Sequence, residues 1–504
     1  MRNWREGVAA AGVALAGAEG EWSADKLARR VDVLAQVLRA SFRPGAALGI
    51  LADNGPDWIA ADLAAQQAEM TLVPLPSFFT PAQWRHALAT AGVEGLFCRS
   101  AEHAGMLGFG RPVAGATGLA LYAGPAPAMV VPPGVQKVTF TSGTTAQPKG
   151  VCLSAGQQWE LAAVLADALA GLQVRRHLNL LPLSVLLENI AGVYTALLSG
   201  AVNVCLPLAQ TGLSGAARFD PVTCLETIAR ERAESVILLP QMLLALVAAA
   251  APHDARLRTL KFIAVGGAKT PPALIAAARA KGFPVYEGYG LSECGSVVAL
   301  NLPGQDRPGS AGRPLPNRAV RIAADGEIEV GGGAMVGYLG AADVPAASGA
   351  SVASAASAAP AGGWLGTGDL GHLDADGYLH IDGRKKNVLV TAFGRNVSPE
   401  WPEALLLGSG VVAQALVVGD ARPFLVAAIV PLRADVPDAA IEAAVAAANR
   451  ALPDYARVQA WFRSAPFGEA DGTATANGRL RRDAAAARCA ASIERLYRTP
   501  TIGD

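Results

Sequence analysis

The chain has few of the residues that mark zinc-binding, disulfide-rich or nucleic-acid-binding proteins. Its 504 residues include only six cysteines and six histidines, and these show no C-x-x-C pair or other ligand spacing, which argues against a zinc site and a disulfide framework. Basic and acidic residues balance at 42 each, so no broad positive field attracts nucleic acid. The absence of a G-x-S-x-G elbow argues against a serine hydrolase. Scattered cysteines favour reduced thiols, and we expect a cytoplasmic location without nucleic-acid partners.

Two long uncharged stretches, residues 189–217 and 235–252, raise the question of a membrane span. Pro240 and Gln241 divide the second stretch into a strand-like and a helix-like part. Buried parallel strands also give continuous apolar runs in a sequence. We therefore expect buried α/β elements here and no transmembrane segment.

Short apolar runs alternate with longer helical patterns between about residues 25 and 300. The runs that predict strands are residues 46–52, 71–75, 94–98, 202–208, 235–240 and 261–267. A helix is predicted over residues 23–40. This alternation is typical of βαβ units and mainly parallel sheets.

The last third of the chain has a different organisation. Residues 341–363 are a low-complexity Ala/Ser/Gly/Pro stretch that predicts an exposed loop. Residues 377–390 predict two short strands joined by a turn at Asp382-Gly383. A smaller α/β unit follows, with strands predicted at 414–420 and 425–432. We place a domain boundary near residues 382–386.

The segment "VTFTSGTTAQPKGV" (138–151) combines hydroxyl side chains, two glycines and Lys149. Such groups direct hydrogens at anionic oxygens and suit a phosphate. It is not a P-loop, because Lys149 is followed by Gly150 and a strand-like run instead of a helix. A helix is predicted to begin after Ser154, whose spacing to Gln157 resembles a capping box. On this segment alone, a Ser/Thr-rich turn remains an alternative.

Four further segments follow in order: "YEGYGLSECGS" (286–296), "GTGDLG" (366–371), "GYLHIDGRKKN" (377–387) and "NGRLRRD" (477–483). Together with the phosphate segment, they resemble the superfamily of adenylate-forming enzymes over roughly residues 25–490. The segments "LPLSVLLENIAG" (181–192) and "FGRNVSPEW" (393–401) look closer to long-chain acyl-CoA synthetases than to amino-acid adenylation domains.

The resemblance implies an α/β fold: a large N-terminal domain of mainly parallel sheets flanked by helices (1–382), and a small mobile C-terminal α+β domain (383–504). It also implies two half-reactions. A carboxylate attacks the α-phosphate of ATP, giving an acyl-adenylate and pyrophosphate, and a thiol, usually that of CoA, then attacks the acyl carbon. Because the first step joins two anions, positive charge, Mg²⁺ and directed amides should supply most of the acceleration. ATP, Mg²⁺ and CoA are the expected cofactors, and a fatty acid is the expected substrate.

The resemblance also implies the site residues. The nucleotide phosphates fall to Thr141, Ser142, Gly143, Thr144, Thr145 and Lys149. The adenine and the acyl carbonyl are assigned to Gly267, Ala268, Gly288 and Tyr289, and the ribose to Asp369 and Arg384. The Mg²⁺ contacts are Glu293 and Thr144, with Ser292 at the α-phosphate. The acyl or pantetheine pocket includes Val185, Gly192 and Gly394, and Lys386 stands at the hinge between the two domains.

The chain departs from the family pattern at three positions. Arg479 stands where the family has its adenylating lysine, so either this arginine takes over that role or the first half-reaction is impaired. Ala146 replaces a usual glycine in the phosphate loop, and Val185 replaces a usual histidine or aromatic residue. Two alternatives stay open: a ligase that loads the phosphopantetheine of an acyl carrier protein, and a catalytically impaired binder of nucleotide or acyl groups. Glu188 is expected to be an exposed or paired carboxylate.

Overall fold

Two nine-stranded sheets form the larger part of the molecule, a computed structural model that describes residues 3–9, 12–116, 118–125, 130–141, 149–214, 218–333, 335–339, 357–358, 363–392, 395–475 and 478–498. Sheet I consists, in spatial order, of Arg313–Pro314, Ala299–Leu300, Val285–Tyr289, Phe262–Val265, Ser235–Leu238, Arg176–Leu178, Val202–Val204, Val13–Gly17 and Gly20–Ser23. Its six central strands, from Val285–Tyr289 to Val13–Gly17, are parallel.

Sheet II is parallel at its centre and antiparallel at both sides. Its strands, in spatial order, are Ser357–Ala358, Gly337–Leu339, Lys149–Leu153, Lys137–Thr141, Thr71–Pro74, Ala47–Leu51, Val93–Cys98, Ala120–Ala123 and Arg111–Pro112. The predicted fold class of mainly parallel sheets flanked by helices is confirmed.

The remaining sheets are smaller, and most of them lie in the last third of the chain. Sheet III is antiparallel and contains Ala319–Ile322, Glu327–Gly331, Trp364–Leu373 and Leu379–Arg384. Sheet IV contains Val412–Val418, Leu425–Pro431 and Val458–Arg463. Two ribbons pair Leu213–Ser214 with Arg218–Phe219, and Leu389–Val390 with Asn396–Val397.

The α-helices of the described residues are Trp4–Ala9, Ala24–Ser41, Pro56–Gln67, Pro81–Thr90, Ala101–Met106, Ala155–Leu169, Thr195–Ser199, Pro221–Arg230, Pro240–Ala249, Pro272–Ala280, Glu400–Leu407, Asp438–Arg450 and Arg482–Arg498. A π-helical segment, Glu188–Tyr194, leads directly into Thr195–Ser199. The predicted capping box is present: Gln157 N donates to Ser154 Oγ at 3.2 Å, and Ser154 N donates to Gln157 Oε1 at 3.0 Å. Two orphan donors of the helix end are thereby satisfied.

The uncharged stretch 235–252 is divided as predicted, into the buried strand Ser235–Leu238 and the helix Pro240–Ala249. Helices Pro221–Arg230 and Pro240–Ala249 share one hydrophobic core with the strands of sheet I. No helix within the described ranges is long and apolar enough to cross a membrane.

The predicted turn at Asp382-Gly383 is wrong. Both residues lie inside the strand Leu379–Arg384, where Gly383 pairs with Leu370. A Cβ at Gly383 would overlap the Oγ of Ser398, so glycine is needed here for a close approach of two chain segments and not for a turn. The chain turns one residue after the strand ends, at Lys385–Asn387. The strand passes through residue 382. The domain limits 1–382 and 383–504 stay a prediction.

A fully buried ionic cluster joins sheet II to the π-helical segment. Lys137 Nζ lies 3.0 Å from Asp62 Oδ2 and donates to the hydroxyl of Tyr194 at 2.7 Å. Tyr194 and Asn189 donate to the same oxygen of Asp62, at 2.7 and 2.9 Å. Burial lowers the pKa of Lys137, and the Asp62 carboxylate opposes that effect. The charge of Lys137 therefore depends on Asp62.

Candidate active site

Asp369 and Arg384 stand directly opposite each other on two antiparallel strands of sheet III. Arg384 Nε lies 2.6 Å from Asp369 Oδ1, and the hydroxyl of Tyr289 donates to Asp369 Oδ2 at 2.7 Å. Burial raises the pKa of the Asp369 carboxyl, and the positive charge of Arg384 opposes this rise. Three residues predicted for the nucleotide are thus in direct contact, although they lie far apart in the sequence.

Two further cations lie close to this group. Arg479 is exposed to solvent, yet the protein atoms packed around it, followed by the like charge of Arg384, lower its pKa. The pKa of Lys386 is lowered by partial burial and then by Arg384 and Arg479. Three cationic side chains therefore share one region, and the carboxylates of Asp369 and Glu400 act on Arg479. An anion placed among these cations would relieve their mutual repulsion.

Ser292 and Glu293 lie on the short 3₁₀ turn Ser292–Cys294, which follows the strand Val285–Tyr289 of sheet I. The hydroxyl of Tyr338 donates to Glu293 Oε1 at 2.8 Å. Lys149 Nζ lies 5.9 Å from the ring centroid of the same tyrosine. Tyr338 therefore links the predicted metal carboxylate to the predicted phosphate lysine. Tyr338 could not be recognised from the sequence, because its only local signal is a tyrosine in a short strand.

The predicted phosphate loop is only partly described. Thr141 and Lys149 are register partners at the ends of two antiparallel strands of sheet II. Five further residues with a predicted role or departure lie outside the described residues: Ser142, Gly143, Thr144, Thr145 and Ala146. Gly394 also lies outside them.

The donor set at Glu293 fits Mg²⁺ only in company with a nucleotide. The side chain is half-buried and offers a carboxylate, which a hard cation prefers. In the described part of the chain, no group of three or more His, Cys, Asp or Glu side chains could hold a metal ion. Magnesium commonly takes one or two carboxylates together with phosphate oxygens and water. Glu293 would thus be one ligand among several that ATP must supply.

The predicted adenine segments meet at the carboxyl ends of neighbouring strands in sheet I. Gly266 and Gly267 follow the strand Phe262–Val265, and Gly288 is close to the end of the next strand. A Cβ at Gly266 would lie 3.1 Å from the carbonyl oxygen of Gly288. Gly267 has a φ of +81°, which favours glycine. Ala268 follows as an exposed residue. Ligands of open α/β sheets bind outside such strand ends.

A cavity of about 480 Å³ extends from these glycines along one face of sheet I. Its nucleotide end is lined by Gly266, Gly267, Gly288, Tyr289 and Gly290. Its far end is lined by the exposed residues Asp167, Gln173 and Arg175. Much of the wall between is apolar, formed by Leu165, Leu187, Ala191, Ile237, Phe262, Ala264 and Leu300. The size lies within the range of small-molecule sites, roughly 300–1,000 Å³.

Gly192, one of the predicted pocket residues, lines this cavity, whereas Val185 is not among the described residues that line it. A Cβ at Gly192 would overlap Glu188 Oε1 and lie 2.7 Å from His177 Nε2. Those two atoms are themselves 2.9 Å apart. Glu188 is completely buried, so the expectation of a paired carboxylate is confirmed and that of an exposed one is wrong. His177 could not be recognised from the sequence, because it lies on a separate strand.

The carboxyl group of Glu287 is expected to make the stability of the folded protein depend on pH. Thr270 N donates to its Oε1 at 3.1 Å, and burial raises the pKa of its carboxyl from the ordinary 4.5 to about 7. Between these values the folded protein holds a proton that the unfolded chain has released. The free energy of unfolding should therefore fall by up to about 1.4 kcal/mol per pH unit as the pH rises through this window.

We expect Glu287→Gln to remove this pH dependence. Its melting temperature should match that of the original protein near ~pH 5 and exceed it near ~pH 8. Thermal unfolding across this range is the measurement, with the exposed helix substitution Glu442→Gln as the matched control. Parallel melting curves for Glu287→Gln and the original protein would contradict the assignment.

Comparison with known proteins shows to which family the chain belongs. The sequence profile described as "AMP-binding enzyme" matches residues 5–339, and that of an "AMP-binding enzyme C-terminal domain" matches residues 386–501. A feruloyl-CoA synthase of Amycolatopsis is 31% identical over 79% of this chain and 80% of its own length. A long-chain-fatty-acid–CoA ligase of Mycobacterium bovis is 36% identical over 44% of this chain. That match covers only 39% of the ligase, well under half of its length.

Solved structures share the architecture over nearly the whole chain. An amide bond synthetase of Marinactinospora thermotolerans superposes with a TM-score of 0.76 and 27% identity, covering 95% of this chain and 97% of the synthetase. The O-succinylbenzoate coenzyme A synthetase of Bacillus subtilis, in complex with AMP, gives a TM-score of 0.74 at 23% identity, covering 96% of this chain and 98% of the synthetase; it speaks for the fold alone. Because the first profile matches more than half of the residues, the chain belongs to the AMP-binding enzyme family.

Proposed function

We propose that the protein activates a carboxylic acid with ATP and then transfers the acyl group to the thiol of coenzyme A. The observation that carries this proposal is the position of Tyr289. Its hydroxyl contacts Asp369 within the group of charged residues, and the same residue lines the largely apolar cavity. A nucleotide at Asp369 and an acyl chain in the cavity would therefore meet at Tyr289.

In the first half-reaction, a carboxylate oxygen bonds to the α-phosphorus of ATP and pyrophosphate leaves. Lys149 and Arg479 supply positive charge toward the phosphates, and this offsets the repulsion between the two anionic reactants. We assign Ser292 to the α-phosphate, and Glu293 would hold Mg²⁺, which would supply positive charge toward the pyrophosphate. Asp369 accepts hydrogen bonds from the ribose hydroxyls, and Arg384 holds that carboxylate in place.

In the second half-reaction, the sulfur of coenzyme A bonds to the acyl carbon, AMP leaves and the thiol gives up its proton. Lys386 follows the last strand of sheet III and is the residue about which residues 383–504 move between the two steps. The names of the relatives support coenzyme A as acceptor, since a feruloyl-CoA synthase and a fatty-acid–CoA ligase are among them. In the described residues we find no feature that favours a carrier protein instead.

The acid is proposed to be elongated and largely apolar, of the fatty-acid class. The cavity wall supports this proposal, and so does the similarity to a long-chain-fatty-acid–CoA ligase. Aromatic acids are the second candidate, because the chain is also similar to a feruloyl-CoA synthase. We propose that the enzyme acts in the cytoplasm.

Mass spectrometry of a reaction with ATP, Mg²⁺ and acids of graded length, with and without coenzyme A, tests the proposal. We expect acyl-adenylate without coenzyme A and acyl-CoA with it. An adenylate that persists in the presence of coenzyme A would indicate a different acceptor. No adenylate from any aliphatic or aromatic acid, in folded protein that binds ATP, would show that the first half-reaction has been lost.

A further inference from the structure

A pair of polar side chains interrupts the apolar floor of the cavity. His177 and Ser235 are register partners on neighbouring parallel strands of sheet I, and both line the cavity. His177 Nδ1 lies 2.9 Å from Ser235 Oγ. The residues beside them on the floor, Ile237 and Phe262, are apolar. The Ser235 hydroxyl is therefore a polar group within an apolar part of the cavity wall.

The hydrogen-bond donors around Glu188 place a hydrogen on Nε2 of His177, the ring nitrogen that faces the carboxylate. Asn179 Nδ2 donates to Oε1 of Glu188 at 3.0 Å, and Leu181 N donates to Oε2 at 2.9 Å. A carboxylate only accepts, so His177 Nε2, at 2.9 Å, carries its hydrogen toward Glu188. In the neutral ring Nδ1 is then an acceptor, and the Ser235 hydroxyl donates to it. The lone pairs of Ser235 Oγ remain available to a donor in the cavity.

The strand geometry gives the distance from this serine to the reacting end. Ser235 is the register partner of Phe262 at the amino ends of the strands. Gly266, at the nucleotide end, is four residues beyond Phe262, which corresponds to about 13 Å along a strand at ~3.3 Å per residue. The acyl carboxylate and Ser235 therefore lie near opposite ends of one cavity.

We propose that Ser235 is a specificity residue, which accepts a hydrogen bond from a hydroxyl carried by the acyl substrate about 13 Å from its carboxylate. The inference rests on the proposed function and deepens it, because it names hydroxylated aliphatic acids as the preferred class. A substrate hydroxyl buried without a partner loses its hydrogen bonds to water uncompensated, and Ser235 removes that penalty. His177 and Glu188 are positioning residues, since they orient the serine hydroxyl and leave its lone pairs toward the substrate.

The test is a position scan. We would measure kcat/KM for pyrophosphate release with saturated acids of one chain length, with the same acids bearing a hydroxyl moved stepwise along the chain, and with a ketone at the best hydroxyl position. We expect a peak of about 5- to 10-fold over the saturated acid at a single distal position, equivalent to one net hydrogen bond. The ketone, which has no hydrogen to donate, should show no gain. His177 and Glu188 act by keeping the Ser235 oxygen an acceptor. The ratio of kcat/KM for the hydroxylated acid to kcat/KM for the ketone therefore reports their effect.

In Ser235→Ala the peak should disappear, so that no hydroxylated acid exceeds the saturated acid in kcat/KM. Ser199→Ala is the matched control: Ser199 also lines the cavity, but its hydroxyl donates to the Thr195 carbonyl at 2.9 Å, and the peak should persist. A flat scan in the original protein, which needs no variant, would overturn the proposal. So would a peak that survives Ser235→Ala, or a ketone that performs as well as the hydroxyl.

A binding measurement tests this inference independently of the proposed reaction. The same acids would be titrated while the melting temperature of the original protein is followed, which requires no turnover. A hydroxyl-dependent stabilisation without any adenylate would support the specificity residue and contradict the proposed reaction. Adenylate formation without a hydroxyl preference in either assay would do the reverse.

Discussion

Replacing Arg479 by alanine is expected to lower the rate of acyl-adenylate formation by about 100- to 1,000-fold, the effect of deleting one charge-stabilising group from an active site. Arg479 is exposed to solvent, and its charge acts on the same region as those of Arg384 and Asp369. Nucleotide phosphates entering this region would pair with a guanidinium that is already opposed by the like charge of Arg384. Because the phosphates would also relieve this repulsion, the interaction should be stronger than with an isolated arginine.

The backbone around Arg479 is held in place by several contacts. Gly478 has a φ of +76°, and a Cβ there would lie 2.7 Å from Gln241 Oε1 on the helix Pro240–Ala249. Thr475 N donates to the Arg479 carbonyl at 2.7 Å, and Arg479 N donates to Thr475 Oγ1 at 3.1 Å. These two hydrogen bonds fix the backbone of Arg479 relative to Thr475.

Two variants and one substrate make the Arg479 test specific. Arg479→Lys restores the family residue and should retain most of the activity. Arg481→Ala removes an exposed arginine from the same segment and should change little. Arg479→Ala supplied with chemically made acyl-adenylate and coenzyme A should still form the thioester. If Arg479→Ala makes adenylate at the original rate, the assigned role is wrong.

Asp62→Ala is expected to reduce the free energy of unfolding by about 3–5 kcal/mol, because it leaves the buried charge of Lys137 without its partner. Lys137 and Asp62 are both essentially inaccessible, with 0% and 1% of their side chains exposed. The hydroxyl of Tyr194 would lose its acceptor in the same change. Urea and thermal unfolding are the measurements.

The control for this prediction is an ion pair at the surface. Asp435→Ala removes the partner of Arg433, and both side chains of that pair are more than 70% exposed. Its cost should be about 0–1 kcal/mol. The double substitution Asp62→Leu with Lys137→Met removes both charges and should be less destabilising than Asp62→Ala alone. Equal effects of Asp62→Ala and Asp435→Ala would refute the interpretation of the buried pair.

The parallel sheets were predictable because their strands are apolar runs with helical patterns between them. Ser235–Leu238 and Phe262–Val265 lie within the predicted ranges for this reason. The Asp382-Gly383 turn was predicted wrongly because Asp-Gly is a strong local turn signal. Pairing of that segment with the strand Trp364–Leu373 overrides it. Where the local turn signal and the strand pairing disagreed, the structure follows the strand pairing.

The site was predictable only where short motifs carry it. Asp369 and Arg384 each lie in a motif, and their register places them opposite each other. The partners that shape the site have no such signal: Tyr338 contacts Glu293 from a separate strand, and His177 contacts Glu188. A sequence without an alignment shows which residue types are available, but not which distant strand brings them together.

The exposed residues at the far end of the cavity have a consequence for substrate length. Carbons that fill the apolar part contribute roughly 0.8 kcal/mol per methylene. Beyond Asp167, Gln173 and Arg175, further carbons enter water and gain no such contribution. Affinity should thus rise with chain length and then level off, so that the protein sets a lower bound on the length of its acid and no upper one.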